Sequence, residues 1–83
     1  MMGESIKIKF IANRNQILYI NSILDSYDGI GIMRTIDREK GHIAIYSTES
    51  QYKKVLDLLK ALKREGIYIK DISVERSEDV DSW

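Results

Sequence analysis

The sequence has no cysteine and no proline among its 83 residues. Without cysteine there is no disulfide scaffold, no thiolate zinc site and no cysteine nucleophile. The single histidine, His42, excludes a multi-histidine metal site within one chain. No apolar run approaches the roughly 18 residues that a spanning helix needs. The opening Met1-Met2-Gly3-Glu4-Ser5-Ile6-Lys7 lacks the apolar stretch and cleavage site of a signal peptide. A cytoplasmic protein with no cofactor and no membrane partner is the expectation. Excess charge is missing too, since 13 Lys plus Arg balance 13 Asp plus Glu. That balance provides no overall electrostatic footprint for nucleic acid. What is present is ordinary globular composition, 43% hydrophobic and 31% charged. The length suits one domain with one small core, burying roughly 60–65% of its unfolded surface.

Charge is unevenly spread. Residues Glu75 to Trp83 hold four acids and one base, which leaves nine acids and twelve bases elsewhere. The expected organisation is a single domain over residues 1–76 and an acidic tail over 77–83. Trp83 reads as an exposed terminus, with an anchor on a partner subunit as the sharper alternative.

Apolar and basic residues alternate along Ile6-Lys7-Ile8-Lys9-Phe10-Ile11-Ala12, the period of a half-buried strand. Asn13 or Asn15 is suited to cap a helix. The helix carries Ile17, Ile20, Leu24 and Tyr27 on one stripe. Asp28-Gly29 turns the chain into a second strand, Ile30 to Asp37. A turn at Arg38-Glu39-Lys40-Gly41 returns it as His42 to Tyr46, with Gly41 suited to positive φ. Thr48 and Gln51 have capping-box spacing. Tyr52, Val55, Leu56, Leu59 and Leu62 then form the face of a second helix, which Gly66 ends. Ile67 to Val74 is the fourth strand. The order β-α-β-β-α-β predicts an α+β, ferredoxin-like two-layer sandwich. Its four-stranded antiparallel sheet has order 4-1-3-2, with both helices on one face.

One sheet face is then left without helices. Alternation assigns it Ile11, Met33, Ala44, Tyr46, Tyr68 and Ile72, with Val74, beside Lys7, Lys9, His42 and Lys70. Gly31 and Thr35 share the parity of Met33, whereas Arg34 shares that of Ile30, Ile32 and Ile36, an awkward place for a cation unless a bulge intervenes. The face is too apolar for a wholly solvated sheet, so it is expected to meet a second copy of the chain, as a homodimer or higher homo-oligomer. The competing reading is an RNA platform. Lys9 to Asn13 and Lys40 to Tyr46 echo the two signatures of the RNA-recognition motif. An exposed Phe10, however, would drive Lys7 and Lys9 into the core.

Enzyme readings are weaker. His42 and Ser47 form no marked constellation. Arg14 sits near where an acylphosphatase phosphate loop would begin, but the glycines of that loop are missing. Asp25 and Asp28 read as a solvated helix end, and Lys53, Lys54, Lys60, Lys63 and Arg64 as a helix's outer face. The expectation is a non-enzymatic regulatory or interaction module. Asn13, Arg14, Asn15 and Arg34 are its candidate contacts for a small effector bearing carboxylate or phosphate.

The element order resembles the ACT and ACT-like regulatory domains, which commonly dimerise and bind small effectors. The run Ile23-Leu24-Asp25-Ser26-Tyr27-Asp28-Gly29 followed by Met33-Arg34-Thr35-Ile36-Asp37 is more closely similar to a family of short bacterial proteins known as a domain of unknown function. That resemblance implies a fold and no activity.

Overall fold

The computed structural model describes residues 5–27 and 29–77. The chain runs β1 (Ser5–Ala12), a 3-10 turn (Arg14–Gln16), α1 (Ile17–Asp25), β2 (Ile32–Asp37), β3 (His42–Thr48), α2 (Tyr52–Arg64) and β4 (Ile69–Ser77). The strands form one antiparallel sheet in the order β2-β3-β1-β4, the topology expected from the sequence.

Alternation on the central strands sets the two layers. Ile6, Ile8 and Phe10 of β1 and Ile43 and Ile45 of β3 are each at most 2% exposed, and they meet the helices. α1 contributes Ile17, Ile20 and Leu24, and α2 contributes Val55, Leu58, Leu59 and Leu62. Leu58 extends the expected stripe, while Tyr52 and Leu56 are half-buried at its edge. Tyr27 does not join the stripe of α1. The helix ends at Asp25, where the Ser26 hydroxyl donates to the Ile23 carbonyl at 2.6 Å, and Tyr27 is left exposed beyond it.

The expected side-chain caps are not made at either helix start. Backbone turn bonds take their place: the Gln16 amide donates to Asn13 O at 2.9 Å and the Gln51 amide to Thr48 O at 3.1 Å. Such tight turns satisfy amides that a cap would otherwise hold. Thr48 Oγ1 lies instead 3.3 Å from Ser50 Oγ.

β4 starts and ends later than its hydrophobic run suggests. Glu75, Arg76 and Ser77, placed at the domain boundary and in the tail by composition, belong to the strand. Arg76 lies over the Tyr52 ring, 5.6 Å from its centre, and pairs with Glu49, tying β4 to the start of α2. The remaining tail, residues 78–83 with Trp83, lies outside the described residues, as do Asp28 and residues 1–4.

Two bulges shift the edge strands. Between the pairs Thr35↔Ile43 and Asp37↔His42, β2 holds one extra residue, Ile36. Between Lys9↔Ser73 and Ile11↔Lys70, β4 holds an extra residue at Asp71, whose φ is 58°. A bulge of this kind inverts the facing of everything beyond it.

Candidate functional site

The face of the sheet opposite the helices is read from its register. β2, β3, β1 and β4 contribute Ile32, Tyr46, Lys7 and Glu75 to one row. The middle row is Arg34, Ala44, Lys9 and Ser73. The third places His42, Ile11 and Lys70 side by side, with Ile36 against the first two.

Of the residues assigned to this face from sequence, Ile11, Ala44 and Tyr46 are on it. Tyr68 stands just before β4, under the Lys70 ammonium, which is 6.0 Å from its ring centre. Met33 and Ile72 are not on the face. Met33 pairs with Ile45, and both Met33 and Ile72 pack against the core on the helix side. Val74 follows Ile8 to that side as well, and so does Thr35 with Ile43. Their places are taken by Ile32, Arg34 and Ile36 from β2 and by Ser73 and Glu75 from β4. In β2 the core-facing set is the less apolar one, so hydrophobicity alone points to the wrong side. Arg34 resolves its awkward parity by lying outside, opposite Ala44.

The face has a graded chemistry. On the β2 half Ile32 is 74% exposed and Ile36 53%. Ala44 is fully buried, and Lys7 is only 7% exposed. On the other half Lys9 Nζ sits 2.7 Å from Glu75 Oε2. That hydrogen bond, with the charges of Lys9 and Lys7, holds the Glu75 carboxyl below its ordinary value of 4.5. Tyr68, by hydrogen bonding and charge, raises the Lys70 ammonium above 10.5, with a smaller push from Asp71. A depression of about 220 Å³ opens here, lined by Lys9, Ile11, Ile36, His42, Asp71 and Ser73.

The effector contacts expected from sequence are split. Arg14 and Asn15 line a cleft of about 480 Å³ with Leu18, Thr35 and Arg38. Arg14 Nη1 donates to Glu39 Oε1 at 2.9 Å. Arg34 faces the other side of the sheet and cannot join them. Asn13 precedes the 3-10 turn and is not among the lining residues. Arg38, which sequence reasoning read only as part of a turn, takes the place intended for Arg34. His42 and Ser47 are also separated. Ser47 faces the helix side opposite Ile6, buried, with its hydroxyl donating to Ile30 O at 2.5 Å. Among the described residues, no three His, Asp or Glu side chains gather as metal ligands, and no helix is long and apolar enough to cross a membrane.

No curated protein and no solved structure matches this chain. A family model does match, over residues 10–65, from the end of β1 to the end of α2. The matched span holds α1, β2, β3 and α2 whole, and with them the β2–β3 half of the open face. The chain belongs to the family described as a domain of unknown function (DUF4911).

Proposed function

We propose that this domain is a non-enzymatic interaction module of the cytoplasm that self-associates through the open face of its sheet, in the manner of an ACT-like regulatory domain. The observation that carries the reading is the run of apolar side chains on the β2–β3 half of that face. Ile32 and Ile36 are more than half exposed there and flank Tyr46 and Ala44. Exposed apolar residues gathered on one sheet face, here in the rows on either side of Arg34, usually meet another surface. Four strands about 4.8 Å apart and roughly 20–25 Å long make a face of about 400–500 Å² in projection, smaller than the ~800 Å² per partner of a standard interface. Association is therefore expected to be reversible and concentration-dependent.

The regulatory part of the reading rests on the Arg14–Asn15–Thr35–Arg38 cleft. Two guanidinium groups and a hydroxyl suit a small carboxylate or phosphate, which would compete with Glu39 for Arg14. Thermal stabilisation by millimolar phosphate or dicarboxylate, lost in Arg14→Ala, is the expected result. No shift with either anion would remove the effector from the proposal.

A nucleic-acid reading draws support from Arg34, which joins Lys7, Lys9 and Lys70 on the face. It is the weaker one. Phe10 is in the core, and Tyr46 and Tyr68 stand toward opposite ends of the face, so among the described residues no two aromatics offer adjacent stacking platforms. Sedimentation velocity from micromolar to millimolar protein, with and without a single-stranded oligonucleotide, decides between them. A concentration-dependent dimer supports self-association. A monomer that binds the oligonucleotide and releases it with salt would replace it.

A further inference from the structure

α2 carries five bases and one acid, Asp57, and its bases are all exposed. Tyr52, Leu56, Lys60 and Lys63 stand at i, i+4, i+8 and i+11, which makes them one flank of the helix, and Lys53 borders it. Tyr52 lies under Arg76 of β4, so this flank looks toward the β4 edge of the sheet. β4 runs back along α2 from that point. Arg76 and Val74 pair with Ile6 and Ile8 and therefore lie on the helix side. Val74, two residues before Arg76, comes level with Leu56, one helical turn after Tyr52. Val74 is 42% exposed, and Tyr52 and Leu56 are only half-buried. A shallow apolar strip thus lies open between α2 and β4, with Lys53, Lys60 and Lys63 along its rim. Among the described residues these three lysines enter no ion pair.

The chain leaves the sheet beside this strip. β4 ends at Ser77, and the preceding Arg76 is tied to the start of α2 through Tyr52 and Glu49. Glu78, Asp79, Val80, Asp81, Ser82 and Trp83 follow, with three acids, no base and two apolar side chains. Extended, that segment reaches about 20 Å. Tyr52 and Lys63 are about 17 Å apart along the helix axis, so the segment can span the strip. Its charge is opposite to that of the rim. Exposed ion pairs are individually weak, and the indole supplies the apolar area that they lack. Because the segment is tethered at Ser77, docking is intramolecular and works at high effective concentration.

We propose that residues 78–83 fold back over the β4 side of α2, with Glu78, Asp79 and Asp81 against Lys53, Lys60 and Lys63 and the Trp83 indole on the apolar strip between Leu56 and Val74. This contact is independent of self-association, since the open face lies on the other side of the sheet.

Trp83 is the only tryptophan in the chain, so its fluorescence reports on the tail alone. In the intact chain at low micromolar concentration, acrylamide should quench it roughly three-fold less than in the urea-unfolded chain, with blue-shifted emission. Lys53→Glu, Lys60→Glu and Lys63→Glu together should abolish that protection. Circular dichroism should stay unchanged, because all three side chains are exposed. Reversing the tail as well, with Glu78→Lys, Asp79→Lys and Asp81→Lys, should restore it. Quenching in the parent chain equal to that of the unfolded chain would overturn the proposal. Protection that persists in the lysine variant would place the indole elsewhere and overturn it too. Loss without rescue by the reversed tail would trace the effect to something other than charge pairing, against the proposal. Protection that disappears on dilution would assign the indole to a second copy and overturn the intramolecular contact.

Discussion

Gly41 closes the β2–β3 turn with its backbone pressed against the end of β1, and alanine there should be costly. Its φ of +73° alone disfavours any residue with a Cβ, by about 1 kcal/mol. Space is the larger obstacle. An added Cβ would stand 1.9 Å from the Ala12 carbonyl oxygen, where real Cβ contacts do not fall below 3.0 Å. The obstructing atom is backbone at the end of a central strand, so no side chain can swing aside. The hairpin end must retreat by about 1 Å. That retreat breaks the 2.9 Å bond from the Ala12 amide to the Gly41 carbonyl. Both residues are buried, so the freed groups find no water, at a cost of about 1–3 kcal/mol. The total is about 2–4 kcal/mol. For a domain of this size that is a fall in Tm of about 10–30 °C. Urea and thermal unfolding followed by circular dichroism measure it, with Gly66→Ala as the control. Gly66 also has positive φ, +96°, but nothing lies within 4 Å of its added Cβ, so only the conformational cost of about 1 kcal/mol applies. If Gly41→Ala is no less stable than Gly66→Ala, the close approach to Ala12 is not as described.

Other outcomes follow from the same structure. Leu59 is fully buried between α2 and the sheet, and Leu59→Ala should lose about 2–5 kcal/mol in chemical denaturation; an unchanged midpoint would contradict the packing of α2. Ile32→Asp places a charge on the most exposed apolar position of the open face. It should weaken self-association at least ten-fold by sedimentation while leaving the monomer's melting unchanged, and equal dimerisation would argue against that face. Glu75 is held below its ordinary value of 4.5 in the folded state. Its contribution is therefore complete above that pH and is lost as pH falls through the depressed value. Glu75→Gln should flatten that part of the acid-stability profile, and an identical profile would mean that the Lys9 contact contributes nothing. Deleting Asp71 removes the extra residue of the β4 bulge and leaves Phe10 opposite Ile72, so the shortened chain should keep its sheet; loss of folding would show that the bulge is required.

Much of this architecture was legible in the sequence. The alternation of Ile6, Ile8 and Phe10 with Lys7 and Lys9 has one low-cost reading, since burying the lysines with the helices would leave charges unpaired in the core. In β3 Ile43 and Ile45 alternate with His42, Ala44 and Tyr46, a weaker form of the same signal with no charge in it. The apolar stripe of α2 and the turn at Gly41 were equally plain. These signals establish the element order, and with right-handed crossovers the element order leaves few sheet topologies. The candidate site was less legible. Ile11, Ala44 and Tyr46 were found because they sit on the two central strands. Met33 and Ile72 were misplaced because both edge strands carry apolar residues at both parities.

The distinction between the two kinds of strand is physical. Where one face of a strand is clearly the more apolar, transfer free energy decides its orientation without reference to neighbours, and the sequence by itself determined β1, β3 and both helices. In β2 and β4 the two faces differ little in burial energy, so orientation passes to the partner strand's hydrogen-bond register. Met33 and Thr35 turn inward because Ile45 and Ile43 already face the core. Ile72 turns inward because the bulge at Asp71 inserts a residue between Lys70 and the pair Lys9↔Ser73. Only tertiary structure could therefore place Arg34 and Glu75 on the open face, and bring Arg38 rather than Arg34 to the cleft beside Arg14.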